Sequence, residues 1–193
     1  MKIIIAIVGM TGSGKSTAAD CLIERGWSHI RFGQVTIEHL KNESKEINPE
    51  NEKAMREKLR HKHGMGAFAI LSLSVIKESL KQENVVIDGL YSWTEYKILQ
   101  ETFGNRLHVV AIFSSPQSRY ERLERRLHDA AQDPNYRMRP LTTEQARVRD
   151  HTEIENIEKG GPIAMADLTI INNSTPAEMR DELLAYVDDI ISE

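Results

Sequence analysis

The chain has 193 residues, 40% of them apolar and 28% charged, with a formal net charge of -4. That length allows one α/β domain with a substantial core, and the acidic balance excludes a global electrostatic pull toward nucleic acid. A single cysteine, Cys21, excludes an intramolecular disulfide, and the N-terminal apolar run Ile3 to Val8 is far shorter than the ~20 residues of a spanning helix. No cleavage pattern follows that run, so the sequence predicts a cytoplasmic protein without a membrane partner.

Ile3-Ile4-Ile5-Ala6-Ile7-Val8 is a continuous, β-branched run, which predicts a strand buried on both faces of a parallel sheet. Directly after it comes Gly9-Met10-Thr11-Gly12-Ser13-Gly14-Lys15-Ser16, the G-x-x-x-x-G-K-[ST] pattern. Its glycines let the backbone turn tightly and aim amide N–H groups at an anion. The helix expected to start near Lys15 turns its positive end toward the same point. Gly12, Ser13, Gly14, Lys15, Ser16 and Thr17 are thus the candidate polyphosphate cradle. Lys15 should reach the β- and γ-phosphates, and Ser16 should bind Mg²⁺. Cys21, inside that helix, reads as a small buried apolar residue.

Ile30-Arg31-Phe32 predicts a second short strand, and Thr36 to Leu80 predicts helices interrupted at Asn48-Pro49. Phe68, Leu71, Val75, Ile76 and Leu80 have the spacing of one buried helical face. Arg56 and Arg60 stand four apart on a predicted helix and are the candidate acceptor-phosphate ligands, or part of an ordinary exposed face among Glu52, Glu57 and Lys58. His61 and His63 read as surface residues, with no carboxylate framework for a metal.

Val85-Val86-Ile87 predicts another buried strand, ended by Asp88-Gly89. Asp88 is a candidate for the Mg²⁺ shell or for accepting a hydroxyl proton, and an Asp-Gly turn alone would also explain it. Ser92 to Glu95 and Thr142 to Gln145 are capping boxes that start helices. Leu107 to Phe113 and Leu168 to Ile171 predict strands, and Pro116 and Pro176 open helices. The last helix carries an apolar stripe of Met179, Leu183, Val187 and Ile190. Between Arg119 and Arg149 there are eight arginines and no lysine, out of fourteen arginines in the chain. Arginine in that excess fits bidentate phosphate contacts on a closing lid, with acidic neighbours able to take some of them into ion pairs. Arg119, Arg122 and Arg126 share one helix face, residues 130–140 read as a mobile loop, and of Arg147 and Arg149 at most one faces a site.

Strands that alternate with helices predict a three-layer α/β/α domain with a parallel sheet and its ligand at the carboxyl ends of the strands. The motifs GMTGSGKS, FGQ at 32–34, LRHKHGMGAFA at 59–69, VVIDGLYSWTEY at 85–96, SSPQSRYERLERR at 114–126, RDHTEIE at 149–155 and IAMADLTIINNS at 163–174 extend nearly end to end. In that order they resemble the P-loop nucleoside-phosphate kinase superfamily, above all dephospho-CoA kinase-like proteins and the archaeal adenylate-kinase-related family. The resemblance implies a single domain, 1–193, with a five-stranded parallel sheet, a helical acceptor-binding insertion at 34–66 and a lid at 127–142. It implies ATP and Mg²⁺, Arg122 and Arg126 as lid arginines, and adenine near Asn172 and Asn173. It also implies a nucleotide-like acceptor: a nucleoside monophosphate or dephospho-CoA. Two positions depart from the pattern: Gly33-Gln34, where many relatives carry Gly-Asp, and Leu90-Tyr91-Ser92, where an arginine is common. Both concern the acceptor, so an ATPase or nucleotide switch without a small-molecule acceptor is the alternative reading. A role at nucleic-acid ends is disfavoured by the net charge.

Overall fold

The computed structural model describes residues 1–129, 141–173 and 175–192. Five strands form one sheet: β1 (Ile4–Val8), β2 (Ser28–Arg31), β3 (Val85–Asp88), β4 (Leu107–Phe113) and β5 (Leu168–Ile171). Their order is β2-β3-β1-β4-β5, and every pairing is parallel. β1 is central, and its alternating side chains feed two cores. Ile4, Ala6 and Val8 enter one, while Ile5 and Ile7 enter the other. This explains why the run is apolar without alternation.

The first core lies under α2 (Phe32–Asn42), α3 (Pro49–His63), α4 (Ala67–Ser79), α5 (Trp93–Phe103) and the short α8 (Gly160–Ala164). The second lies under α1 (Lys15–Ile23) and α9 (Pro176–Ser192). α6 (Pro116–Asp129) and α7 (Thr143–Ile157) pack on each other beside the end of β4. Both capping boxes form: Ser92 Oγ accepts from Glu95 N and Thr142 Oγ1 from Gln145 N, at 3.0 and 3.2 Å. The sheet therefore matches the predicted class. β1 has β3 on one side and β4 on the other, so the chain's path reverses there and opens a crevice beyond its carboxyl end.

Three local readings change. Phe32 does not extend β2 but opens α2: Arg31 is already paired with Asp88, the last residue of β3, so the ladder has no further partner. Val75 is 55% exposed because the buried arc of α4 centres on Ala69, Ser72 and Ile76, and the apolar spacing passes over the small Ala69 and the polar Ser72. α8 went unread, since five residues containing two glycines and a proline show no helical period.

Candidate active site

The site starts where β1 ends. Gly9, Gly12 and Gly14 hold φ of 141°, 82° and 111°, in the left-handed region that other residues avoid. A side-chain carbon at Gly12 would sit 2.9 Å from the Arg119 carbonyl oxygen, and one at Gly14 would sit 2.3 Å from Asn172 Nδ2. Ser13 N donates to Met10 O at 3.2 Å and closes the turn. α1 begins at Lys15 with no side-chain cap on Gly14 and no acidic residue in its first turn. Its leading amides are thus left to an external acceptor, the arrangement that receives a phosphate. Lys15 Nζ rests on Met10 O at 2.9 Å. Burial, then the nearby charge of Lys159, brings the Lys15 ammonium pKa down to about 7. An anion in the cradle would reverse that.

The turn is braced from two sides. Asn172, buried just after β5, donates through Nδ2 to Ser13 O at 2.8 Å. Arg119 on α6 is buried and donates to Thr11 O at 2.9 Å, to Ser114 O at 3.2 Å and to Asp150 of α7 at 2.6 Å. Tyr120 also donates to Asp150, at 3.0 Å. Arg122 spends its two Nη groups on Ser114 Oγ and Asn172 O, at 2.9 and 2.7 Å.

Beyond the cradle lies a cleft of about 1390 Å³. Lys15, Ser16 and Thr17 line it, as do Asp88 at the end of β3, Arg126 on α6 and Arg149 on α7. Its far wall comes from α2 and α3, with Lys41, Lys53, Arg56 and Arg60 around Ile37 and Ile47. Arg56 is bridged to the buried Glu52 at 3.1 Å. Arg60 lies over the Phe68 ring at 5.3 Å, and its buried Nε has no hydrogen-bond partner among the described residues. Burial, then Arg122, lowers the pKa of Arg126 from its ordinary value. Ser16 and Asp88 offer a hydroxyl and a carboxylate to the one cleft, hard oxygen donors of the kind that suit Mg²⁺ beside phosphate oxygens. Among the described residues, no cluster of three or more His, Cys, Asp or Glu could hold a metal by itself.

The predicted residues thus divide. Lys15, Ser16, Thr17, Asp88, Arg126, Arg56 and Arg60 meet on one cleft. Arg122 and Asn172 stand behind it as braces, Ser13 is the buried loop residue whose carbonyl Asn172 holds, and Asn173 is exposed. Of the two arginines on α7, Arg149 faces the cleft and Arg147 is exposed. Arg137, Arg139 and most of the 127–142 segment lie outside the described residues. Cys21 is buried, as read, and its thiol donates to Thr17 O. Sequence reasoning missed Glu153 and Lys159, while Tyr91, in the stretch that departs from the family pattern, does line the cleft. The Arg149–Glu153 spacing of four on one helix could have pointed to Glu153, whereas nothing local marks Lys159.

Comparison with known proteins gives concordant results. A family model described as an AAA domain matches residues 5–142. A UPF0200 protein of Thermococcus kodakarensis is 33% identical over 192 residues, covering 98% of both chains. One of Sulfurisphaera tokodaii is 36% identical over 189 residues, covering 95% of this chain and 97% of its own. Among solved structures, a gluconokinase from Sinorhizobium meliloti 1021 shares the fold at a TM-score of 0.57 and 17% identity, covering 97% of this chain and 93% of that one. A shikimate kinase from Aquifex aeolicus vf5 does so at 0.53 and 22%, covering 96% of each. The fold is thus that of the P-loop kinases, as the motifs implied.

Proposed function

We propose, for a chain that belongs to the UPF0200 family and to the AAA-domain proteins, an ATP-dependent phosphotransferase that moves the γ-phosphoryl group to a small nucleotide-like acceptor. One observation carries this reading: a single cleft joins the phosphate cradle to a second wall where Lys41, Lys53, Arg56 and Arg60 outnumber Glu52 and Glu57. A protein that only held or hydrolysed a nucleotide would have no use for that second wall.

In this reading the amides of Gly12 to Thr17 and the Lys15 ammonium hold the polyphosphate. ATP would supply the phosphoryl group, and Mg²⁺ would supply charge neutralisation. Ser16 and Asp88 would hold the metal, and Asp88 would accept the proton of an attacking hydroxyl. Arg126 and Arg149 face the transferred group, whose spreading negative charge they stabilise. Residues 34–66 serve as the acceptor-binding insertion, and the 127–142 segment as the lid.

The test is a panel of nucleoside monophosphates, nucleosides and dephospho-CoA, scored for ADP release with ATP–Mg²⁺. Gluconate and shikimate join it because proteins of this fold are named for them. We expect acceptor-dependent turnover, reduced about 10²–10³-fold by Lys15→Ala. Background hydrolysis alone across the panel would favour the ATPase reading. Failure of the parent to bind any nucleotide would overturn both.

A further inference from the structure

We infer that Glu153, with Lys159 behind it, is a positioning residue: it presents the Arg149 guanidinium to the transferred phosphoryl group. The inference rests on the phosphotransfer reading and adds to it the residues that aim the arginine.

Both Glu153 oxygens are committed. Oε1 accepts from Arg149 Nε at 2.8 Å. Oε2 accepts from Lys159 Nζ and, at 3.3 Å, from Thr11 Oγ1. One carboxylate thereby joins a cleft arginine, a buried ammonium and the phosphate loop. Arg149 uses only its Nε in this contact. Its two Nη groups take no hydrogen-bond partner among the described residues, and the side chain lines the cleft at 32% exposure. A guanidinium held through Nε keeps its fork free for two phosphate oxygens.

Lys159 is the costly part. Its side chain is 2% exposed, and removing an ammonium from water carries a large desolvation penalty, which an ion pair offsets only with good geometry. It is absent from the cleft wall, so it touches no substrate itself. Its contacts are Glu153 and the Tyr91 ring, 4.5 Å away, and Tyr91 does line the cleft. Lys159 also leads directly into α8, which seats it against α7. Such a residue acts through its partner. Burial pushes the Glu153 carboxyl pKa up, but Lys159 and Arg149 outweigh it and hold the pKa at about 2. The carboxylate therefore stays ionised, while burial lowers the Lys159 ammonium pKa from its ordinary value and the Glu153 charge opposes that fall.

The experiment compares binding of ADP–Mg²⁺ with that of a non-hydrolysable β,γ-methylene ATP–Mg²⁺ analogue by calorimetry. The variants are Glu153→Gln, Arg149→Ala, Arg149→Lys and the Glu153→Gln/Arg149→Ala double. We expect each to lose about tenfold or more of the parent's preference for the triphosphate, the scale of a charged hydrogen bond. ADP affinity should hold within about twofold, which also reports an intact fold. The double variant should be no worse than either single, because both remove one device. Arg149→Lys keeps the charge and loses the Nε contact on a cleft-exposed side chain, so the test stands even where Glu153→Gln does not fold. An unchanged ratio in Glu153→Gln or Arg149→Lys, or additive losses in the double, would overturn the inference and leave the phosphotransfer reading standing. A parent that binds neither nucleotide overturns both.

Discussion

Lys15 shows how a single residue couples the phosphate loop to pH. Its ordinary pKa of 10.5 falls to about 7, chiefly through burial. Between those values the unfolded chain holds a proton that the folded chain has released, so stability rises with pH across that window. Below about 7 both states are protonated, and the cost of the buried charge is fully present. Lys15→Met should flatten this rise in urea unfolding series run from pH 7 to 10. Nucleotide binding restores the proton, so at pH 8 the parent should take up about one proton per ADP–Mg²⁺ bound. Calorimetry in two buffers of different ionisation enthalpy measures this uptake, with Lys15→Arg as the control that takes up none. No uptake in the parent would mean that the ammonium does not meet the phosphates.

At the scale of elements, α7 grips position 11 of the phosphate loop twice. Asp150 does so through Arg119 and the Thr11 carbonyl, and Glu153 through the Thr11 hydroxyl. These two acids lie three apart on one helix, so a single rigid element sets both the main chain and the side chain of the loop. Arg119 and Asp150 are 4% and 5% exposed, and Arg119→Ala would strand the carboxylate with Tyr120 as its remaining donor. The expected loss is about 3–5 kcal/mol of unfolding free energy, read as a lower denaturant midpoint at unchanged slope. A loss below about 1 kcal/mol, the value of an exposed pair, would show the bridge to be solvated in solution. The eight-arginine cluster thus serves more than one purpose. Arg119 and Arg122 hold loops together, while Arg126 and Arg149 face the cleft.

For the whole molecule, the cleft lies between layers that meet only at the carboxyl edge of the sheet: the cradle on β1, the carboxylate on β3, and the cations on α3, α6 and α7. A ligand that spans it binds the folded state alone. ADP–Mg²⁺ at a hundred times its Kd should stabilise the fold by about 2.7 kcal/mol, and so raise Tm by roughly 5–10 °C. Thermal scans over a range of ADP concentrations check this. A concentration-independent Tm would exclude the cradle as a nucleotide site.

Much of this was legible in the amino-acid sequence itself. β1, the glycine turn and the start of α1 follow from local constraints: an unbroken β-branched run, glycines at positive φ, and a lysine at the helix start. The two capping boxes and Asp88 at a strand end are local in the same way. Which arginine faces the cleft was not legible, because Arg119, Arg122 and Arg126 share a spacing and differ only in what packs against them. Nor was Lys159, whose partner sits on the preceding helix and whose burial depends on α8 folding back beside Tyr91. Periodicity and turn chemistry act over a few residues and determined the elements. Partner choice among buried charges depends on distances between elements, which only the packed tertiary structure decides.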